Sequence, residues 1–121
     1  MKNQRKLPYD RCERVGDLIL RVLSEVSYTE LEDPRLKGLQ FTAVKVTRDL
    51  QIAKIYYFVS GGEAVRKECA QALEDHTGQF RHALAQEMTT KYLPSLRYYF
   101  DESIEHGERI DALIAGLHHK S

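Results

Sequence analysis

Residues 39–60 read LQFTAVKVTRDLQIAKIYYFVS, and this stretch decides the fold. It holds two runs rich in β-branched and aromatic residues, 39–47 and 50–60, joined by the short polar connection Arg48-Asp49. We therefore predict two strands paired as an antiparallel hairpin. Alternation gives the second strand two faces. The face that suits the core holds Ala53, Ile55, Tyr57 and Val59, and the other holds Ile52, Lys54, Tyr56 and Phe58.

The first strand contains an irregularity. Its apolar residues change phase between Ala43 and Val44, which predicts a bulge or a late strand start. Before this strand, apolar residues recur at three- and four-residue steps from Asp10 to about residue 28, which is typical of an amphipathic helix with Asp10 as its cap. Pro34 and Gly38 stop helical structure before the strand begins.

Helical patterns also follow the hairpin. Residues 63–75 predict one helix, and a break at Gly78 separates it from a second helix that ends near residue 92. Residues 95–101 predict a third strand and residues 107–118 a last helix. The order α-β-β-α-(kink)-α-β-α predicts an α+β, two-layer domain, a three-stranded sheet with helices on one face. The other face of the sheet would then be open.

Length and charge limit the organisation of the chain. Its 121 residues predict one domain at 10–117, with a flexible basic tail at 1–9 and a short tail at 118–121. The formal net charge is zero, which argues against coating a polyanion through bulk charge. However, residues 1–21 carry six Lys/Arg against three Asp/Glu, and residues 101–121 carry five Asp/Glu against two Lys/Arg. This polarisation leaves room for a local basic surface.

Residues that could carry chemistry are widely scattered. Cys12 and Cys69 fit neither a disulfide framework nor a zinc signature, and Cys69 is expected in the core. The five histidines and the paired carboxylates form no nucleophilic, acid–base or phosphate-loop pattern. No apolar run has the length of a signal peptide or a membrane span. We therefore expect a cytoplasmic monomer that is not an enzyme, with no metal, cofactor, membrane or small-molecule substrate.

Short motifs occur in a specific order over residues 11–114. They are Arg11-x-x-Arg14-Val15, Asp33-Pro34-Arg35-Leu36, Arg48-Asp49-Leu50, Ala53-Lys54-Ile55-Tyr56, Gly78-Gln79-Phe80-Arg81, Leu93-Pro94-x-Leu96, Phe100-Asp101-x-Ser103 and Gly107-x-Arg109-Ile110. In this order the chain resembles the ribosome-binding factor A family of bacterial assembly factors. The resemblance implies a type II KH-like fold. It also implies binding to the free small ribosomal subunit and its rRNA during late maturation, with roles in rRNA processing and growth in the cold.

The resemblance also suggests where RNA would bind. Typical KH domains clamp RNA with a Gly-x-x-Gly loop, which this chain lacks. The family has a helix-kink-helix there, represented by His76-Thr77-Gly78, with His76 in place of the usual small residue. We expect His76 to stack on a base or contact a phosphate, Thr77 to cap the second helix or donate to phosphate, and Arg81 to bind phosphate. The alternative is an ordinary kink with Thr77 as a cap and Arg81 as a solvated charge.

Four further basic residues complete the predicted RNA site. Arg11 and Arg14 lie one helical turn apart and could follow a phosphate backbone. Arg48 either does the same, pairs with Asp49 or caps the turn. Lys54 lies on the open sheet face. Such contacts would make binding strongly dependent on salt.

Two other functions are compatible with the sequence. A general binder of single-stranded RNA would use Tyr56 and Phe58 as stacking platforms. A protein-interaction module would use the open sheet face or the last helix, and zero net charge favours it.

Overall fold

A computed structural model of the protein describes residues 10–88 and 93–103. The elements are α1 (Arg11–Thr29), a 3-10 turn (Pro34–Leu36), β1 (Gln40–Val46), β2 (Ile52–Phe58), α2 (Glu63–Asp75), α3 (Thr77–Glu87) and β3 (Ser95–Phe100). The predicted order of helices and strands is confirmed through the third strand. The predicted last helix at 107–118 and the tails at 1–9 and 118–121 lie outside the described residues.

The first helix begins with a capping box. The side chain of Asp10 accepts a hydrogen bond from the Glu13 amide at 2.8 Å, and the Glu13 carboxylate accepts one from the Asp10 amide at 3.3 Å. This confirms Asp10 as the cap. The helix buries Ile19, Val22, Leu23 and Val26. It ends at Thr29, four residues before the Asp33-Pro34 pair that starts the 3-10 turn.

The sheet is mixed, in the order β1-β2-β3. The predicted hairpin of β1 and β2 is antiparallel, and its register shifts between Phe41 and Ala43, which confirms the predicted irregularity. The third strand pairs with β2 in parallel, with Ile52 opposite Ser95 and Tyr57 opposite Phe100. Parallel pairing requires the chain to cross from one end of the sheet to the other, and α2 and α3 both lie in the part of the chain between β2 and β3.

The helices cover one face of the sheet. Ala53, Ile55, Tyr57 and Val59 are all buried there, as predicted, together with core residues of α1, α2 and α3. Helix α1 packs directly on β1 at Gly16. A Cβ atom added there would lie 2.9 Å from the Val44 carbonyl oxygen, which is too close for any residue larger than glycine unless the backbone shifts. Glycine at this position therefore permits the close packing of the helical layer on the sheet.

The second face of the sheet is open within the described residues. Lys45, Lys54 and Arg97 are exposed on it, as predicted for Lys54. Phe58 is an exception to the predicted alternation, since it is only 6% exposed and packs against the ring of Phe100 with 5.6 Å between ring centroids. The expectation that Phe58 is an accessible stacking platform is therefore wrong.

The break between α2 and α3 lies at His76, the first residue of the predicted stretch His76-Thr77-Gly78, and α2 ends at Asp75 as predicted. Gly78 is already in the first turn of α3, where glycine is tolerated. His76 leaves the helical conformation, with φ −99° and ψ 8°, while its amide still donates to the Ala72 carbonyl. The break thus coincides with a residue whose side chain makes two polar contacts, and Gly78 has no positive φ that would require glycine.

Candidate nucleic-acid interface

The kink, defined here as His76, Thr77 and Gly78, is held by an ionic network. His76 Nε2 lies 2.9 Å from the carboxylate of Asp33, and His76 Nδ1 lies 2.5 Å from Gln79 Oε1. Asp33 also accepts from the guanidinium of Arg35 at 2.7 and 3.1 Å, and Arg35 reaches Asp75 at 3.1 Å. The network thus joins the 3-10 turn to both helices at the kink.

Proton affinities at the kink follow from these contacts. Hydrogen bonds from Arg35 and His76 hold the pKa of Asp33 well below its usual range. The pKa of His76 is raised, first by its hydrogen bond to Gln79 and then by that to Asp33. Both ring nitrogens face oxygen acceptors, so the doubly protonated imidazolium satisfies both contacts. The imidazole is thus engaged in contacts within the protein.

Thr77 is likewise engaged in an internal contact. Its hydroxyl donates to the Leu73 carbonyl at 3.0 Å and lies 2.7 Å from the hydroxyl of Tyr98 on β3. Burial raises the pKa of Tyr98 to about 12. No side chain caps the start of α3, so the expected capping by Thr77 is wrong. Thr77 instead ties the kink to the sheet.

Arg81 connects α3 to the start of β3. Its Nη1 donates to the Pro94 carbonyl at 2.9 Å, and Pro94 is buried. Arg81 is therefore not a purely solvated charge, although a guanidinium has five N–H donors and can bind a second acceptor.

The backbone beside Gly78 is accessible. A Cβ atom added there would meet no atom within 4 Å. A shallow groove runs past it between the end of α1 and α3, lined by Glu30, Gly78, Gln79, His82, Ala83 and Gln86. The kink therefore presents its main chain at this groove.

Arg11, Arg14 and Arg48 form a second group, which we call the hairpin end. The Cys12 thiol donates to the Thr47 carbonyl at 3.5 Å, which places the start of α1 against the β1–β2 turn. All three arginines are exposed. Arg48 does not pair with Asp49, whose carboxylate accepts from the Thr47 hydroxyl at 2.7 Å and the Gln51 amide at 3.1 Å. The Arg48 side chain is thus available to a ligand.

The kink and the hairpin end lie at opposite ends of α1. Glu30, just after α1, shares the groove with Gly78, whereas Cys12 at the other end contacts the hairpin turn. The 19 residues of α1 separate them by about 28 Å at 1.5 Å per residue. The expected RNA site is therefore divided between two places on the surface.

A row of three cations crosses the open sheet face next to the hairpin end. Lys45 on β1 is opposite Lys54 on β2, which is opposite Arg97 on β3. We call these residues the basic row. Sequence reasoning identified Lys54 but missed Lys45 and Arg97. The alternation of side chains along β1 and β3 could have placed Lys45 and Arg97 on the open face. Aligning Arg97 with Lys54 also required the register of the parallel pair β2 and β3.

Neither a metal-ligand cluster nor a membrane-spanning helix is found in the described residues. Residues 10–88 and 93–103 contain no cluster of three or more His, Cys, Asp or Glu side chains that could hold a metal ion. Cys69 is fully buried, as predicted, and burial raises its pKa to about 11. Over the same residues, every helix is too short or too polar to cross a bilayer.

The chain is similar to known proteins of one family. The family described as Ribosome-binding factor A matches residues 11–114. The chain is similar to ribosome-binding factor A of Thiobacillus denitrificans, with 39% identity over 106 residues, or 88% of this chain and 86% of that protein.

Two structural neighbours are also described as ribosome-binding factor A. A crystal structure of ribosome-binding factor A from Thermus thermophilus aligns with a TM-score of 0.66 and 26% identity, covering 74% of this chain and 93% of that one. A homology model of the Thermus thermophilus factor, fitted into a cryo-EM map of a 30S–RbfA complex, aligns with a TM-score of 0.56 and 27% identity, covering 72% and 91%. These neighbours confirm the predicted KH-like α+β class.

Proposed function

The chain belongs to the ribosome-binding factor A family, and from this membership we propose that it binds the free small ribosomal subunit and its rRNA. The observation that carries the proposal is the family match over residues 11–114, supported by the fit of a Thermus thermophilus relative into a 30S complex. The chain acts during late maturation, assists rRNA processing and supports growth in the cold. It is a cytoplasmic monomer with a single domain at residues 10–117. It has no small-molecule substrate and is not an enzyme.

RNA contacts are proposed at the hairpin end, at Lys54 and at the kink. The exposed arginines of the hairpin end support phosphate binding, because within the described residues they make no ion pair or side-chain hydrogen bond. At the kink the exposed main chain at Gly78 faces the RNA. His76, Thr77 and Arg81 hold its shape, and Arg81 adds a phosphate contact with the donors that Pro94 leaves free.

Fractionation tests the proposal. Lysate is run on a sucrose gradient at low magnesium and moderate salt, and the protein is detected across the fractions. We expect it to travel with free small subunits and to be absent from translating ribosomes. A protein that stays at the top of the gradient would contradict subunit binding.

A pair of variants then tests the hairpin end. Purified small subunits are pelleted with wild type, with Arg11→Gln/Arg48→Gln, and with the control Lys37→Gln/Lys67→Gln, which removes two exposed cations elsewhere. We expect the arginine variant to need less salt for release than the control, because each lost phosphate contact lowers the electrostatic part of binding. Release of the two variants at the same salt concentration would show that the hairpin end is not part of the interface.

A further inference from the structure

We propose that the open face of the sheet binds an unstructured, single-stranded segment of RNA, with phosphates on the basic row and bases on Tyr56 and Tyr99. This inference rests on the proposed function and adds the form of RNA that the domain recognises. It assigns a binding surface to Lys45, Arg97 and Tyr99, and it places that surface apart from the kink.

The geometry of the basic row supports this assignment. Lys45, Lys54 and Arg97 are directly opposite one another across three neighbouring strands. Neighbouring strands are about 4.8 Å apart, so the row spans roughly 10 Å of the face. All three side chains are exposed. They form a continuous line of positive charge on a surface that the rest of the described fold leaves open.

The row is unfavourable for the isolated domain. Like charges directly opposite on neighbouring strands are destabilising. In the described part of the chain, none of the three cations has an ion pair or a side-chain hydrogen bond that would offset this repulsion. A polyanion laid along the row would replace repulsion with attraction. Charge complementarity therefore favours a phosphate backbone as the occupant.

The adjacent row supplies aromatic surface. Tyr56 is opposite Tyr99, and their ring centroids are 5.7 Å apart with 32° between the planes. Tyr99 is 41% exposed, and Ala43 opposite Tyr56 on β1 adds little bulk. Bases stack on such rings whatever their identity. Phosphate contacts beside exposed rings are the combination by which proteins hold single strands without reading sequence.

The same features argue against a duplex or a protein. An RNA duplex keeps its bases stacked inside, where these rings cannot reach them. Protein interfaces have apolar centres from which charged residues are depleted, whereas three cations cross this face and Phe58 is buried. A single-stranded segment satisfies both the cations and the rings.

Fluorescence anisotropy with a labelled, unstructured RNA 12-mer tests the inference. It is measured over a range of salt concentrations for wild type, Lys45→Gln/Lys54→Gln and the control Lys37→Gln/Lys67→Gln. We expect the row variant to bind at least about tenfold more weakly, with the slope of log affinity against log salt reduced by about 1.4, or roughly 0.7 per lost contact. Its melting temperature should not fall. The control should match wild type.

A second variant separates stacking from charge. Tyr56→Leu/Tyr99→Leu should weaken binding at least about fivefold and leave the salt slope unchanged, because stacking releases no counterions. Affinity unaffected by the leucines would overturn base stacking on this face.

Three outcomes would overturn the inference. The row variant could bind as the control does; a duplex of equal length could bind the row better than the 12-mer; or an acidic peptide could bind the row where the 12-mer does not, which would indicate a protein partner. Pelleting with small subunits runs in parallel. Wild type that pellets with subunits but does not bind the 12-mer would overturn this inference alone, whereas the converse result would overturn only subunit binding.

Discussion

The kink and the basic row use their polar residues in opposite ways. His76 and Thr77 at the kink, and Arg81 one turn beyond it, each direct side-chain donors to acceptors inside the protein. On the sheet, Lys45, Lys54 and Arg97 have no such acceptors among the described residues. The kink is thus shaped before binding, and the row becomes electrostatically favourable only when an anion is present. Charge in a sequence does not by itself distinguish these two uses.

The largest expected effect of a mutation is at the centre of the kink network. Asp33→Ala removes the acceptor shared by Arg35 and His76 and the cap of the 3-10 turn. We expect the melting temperature to fall by roughly 8 °C, because several contacts are lost together. Calorimetry measures this, with Asp33→Asn as the control that keeps the cap and loses the charge. If both variants melt like wild type, the network does not hold the kink.

Arg81 gives the next effect. Arg81→Gln should lower the melting temperature by roughly 5 °C, since the hydrogen bond from a charged donor to Pro94 contributes about 1–2 kcal/mol. Subunit pelleting of the same variant, at a temperature where it is folded, reports any phosphate contact separately. An unchanged melting temperature with weakened pelleting would show that Arg81 contacts RNA and does not stabilise the fold.

The basic row should respond in the other direction. Lys54→Glu places a carboxylate between Lys45 and Arg97 and turns two repulsive pairs into two attractive ones. We expect the melting temperature to rise by roughly 3 °C at low salt, while RNA binding is lost. Lys54→Gln, which only removes charge, should give a smaller rise. A fall in melting temperature in both variants would mean that Lys54 stabilises the free domain.

The smallest effect depends on pH. Because the pKa of His76 is raised in the folded state, its ionic contacts contribute fully below the unfolded pKa of about 6.5 and are lost as pH rises through the folded value. The difference in melting temperature between wild type and His76→Gln should therefore shrink by roughly 2 °C between pH 6 and pH 9. Asp33 stays ionised throughout. A difference independent of pH would show that the imidazole contributes as a neutral group.

Much of the fold was predictable because it follows from local patterns. The alternation in β2 identified its buried face, and the phase change near Ala43 identified the bulge. The prediction was wrong at Phe58, where packing against Phe100 outweighs alternation. The end of α2 at Asp75 and the kink at His76-Thr77-Gly78 were predicted correctly, but the sequence attributed the interruption to Gly78, whereas it lies at His76, which contacts Asp33 across 43 residues of sequence.

The candidate site was less predictable, since it depends on register and on partners. The sequence identifies Lys54, but Lys45 and Arg97 remain scattered cations until the pairing of β1 with β2 and of β2 with β3 aligns them with it. In the same way, nothing local shows that the Thr77 hydroxyl meets Tyr98 or that Arg81 meets Pro94. The RNA contacts predicted at the kink and at the hairpin end remain predictions.

The mixed sheet also has a consequence for the time at which the binding face appears. The β1–β2 hairpin closes through a short local turn, whereas β3 pairs in parallel only after residues 59–94 have been placed. Because long loops close at a greater entropic cost, we expect β3 to dock last. Arg97 and Tyr99 arrive with that strand. The proposed RNA surface of a newly made chain would therefore be incomplete until folding is almost finished, and on that proposal immature copies would not compete for RNA.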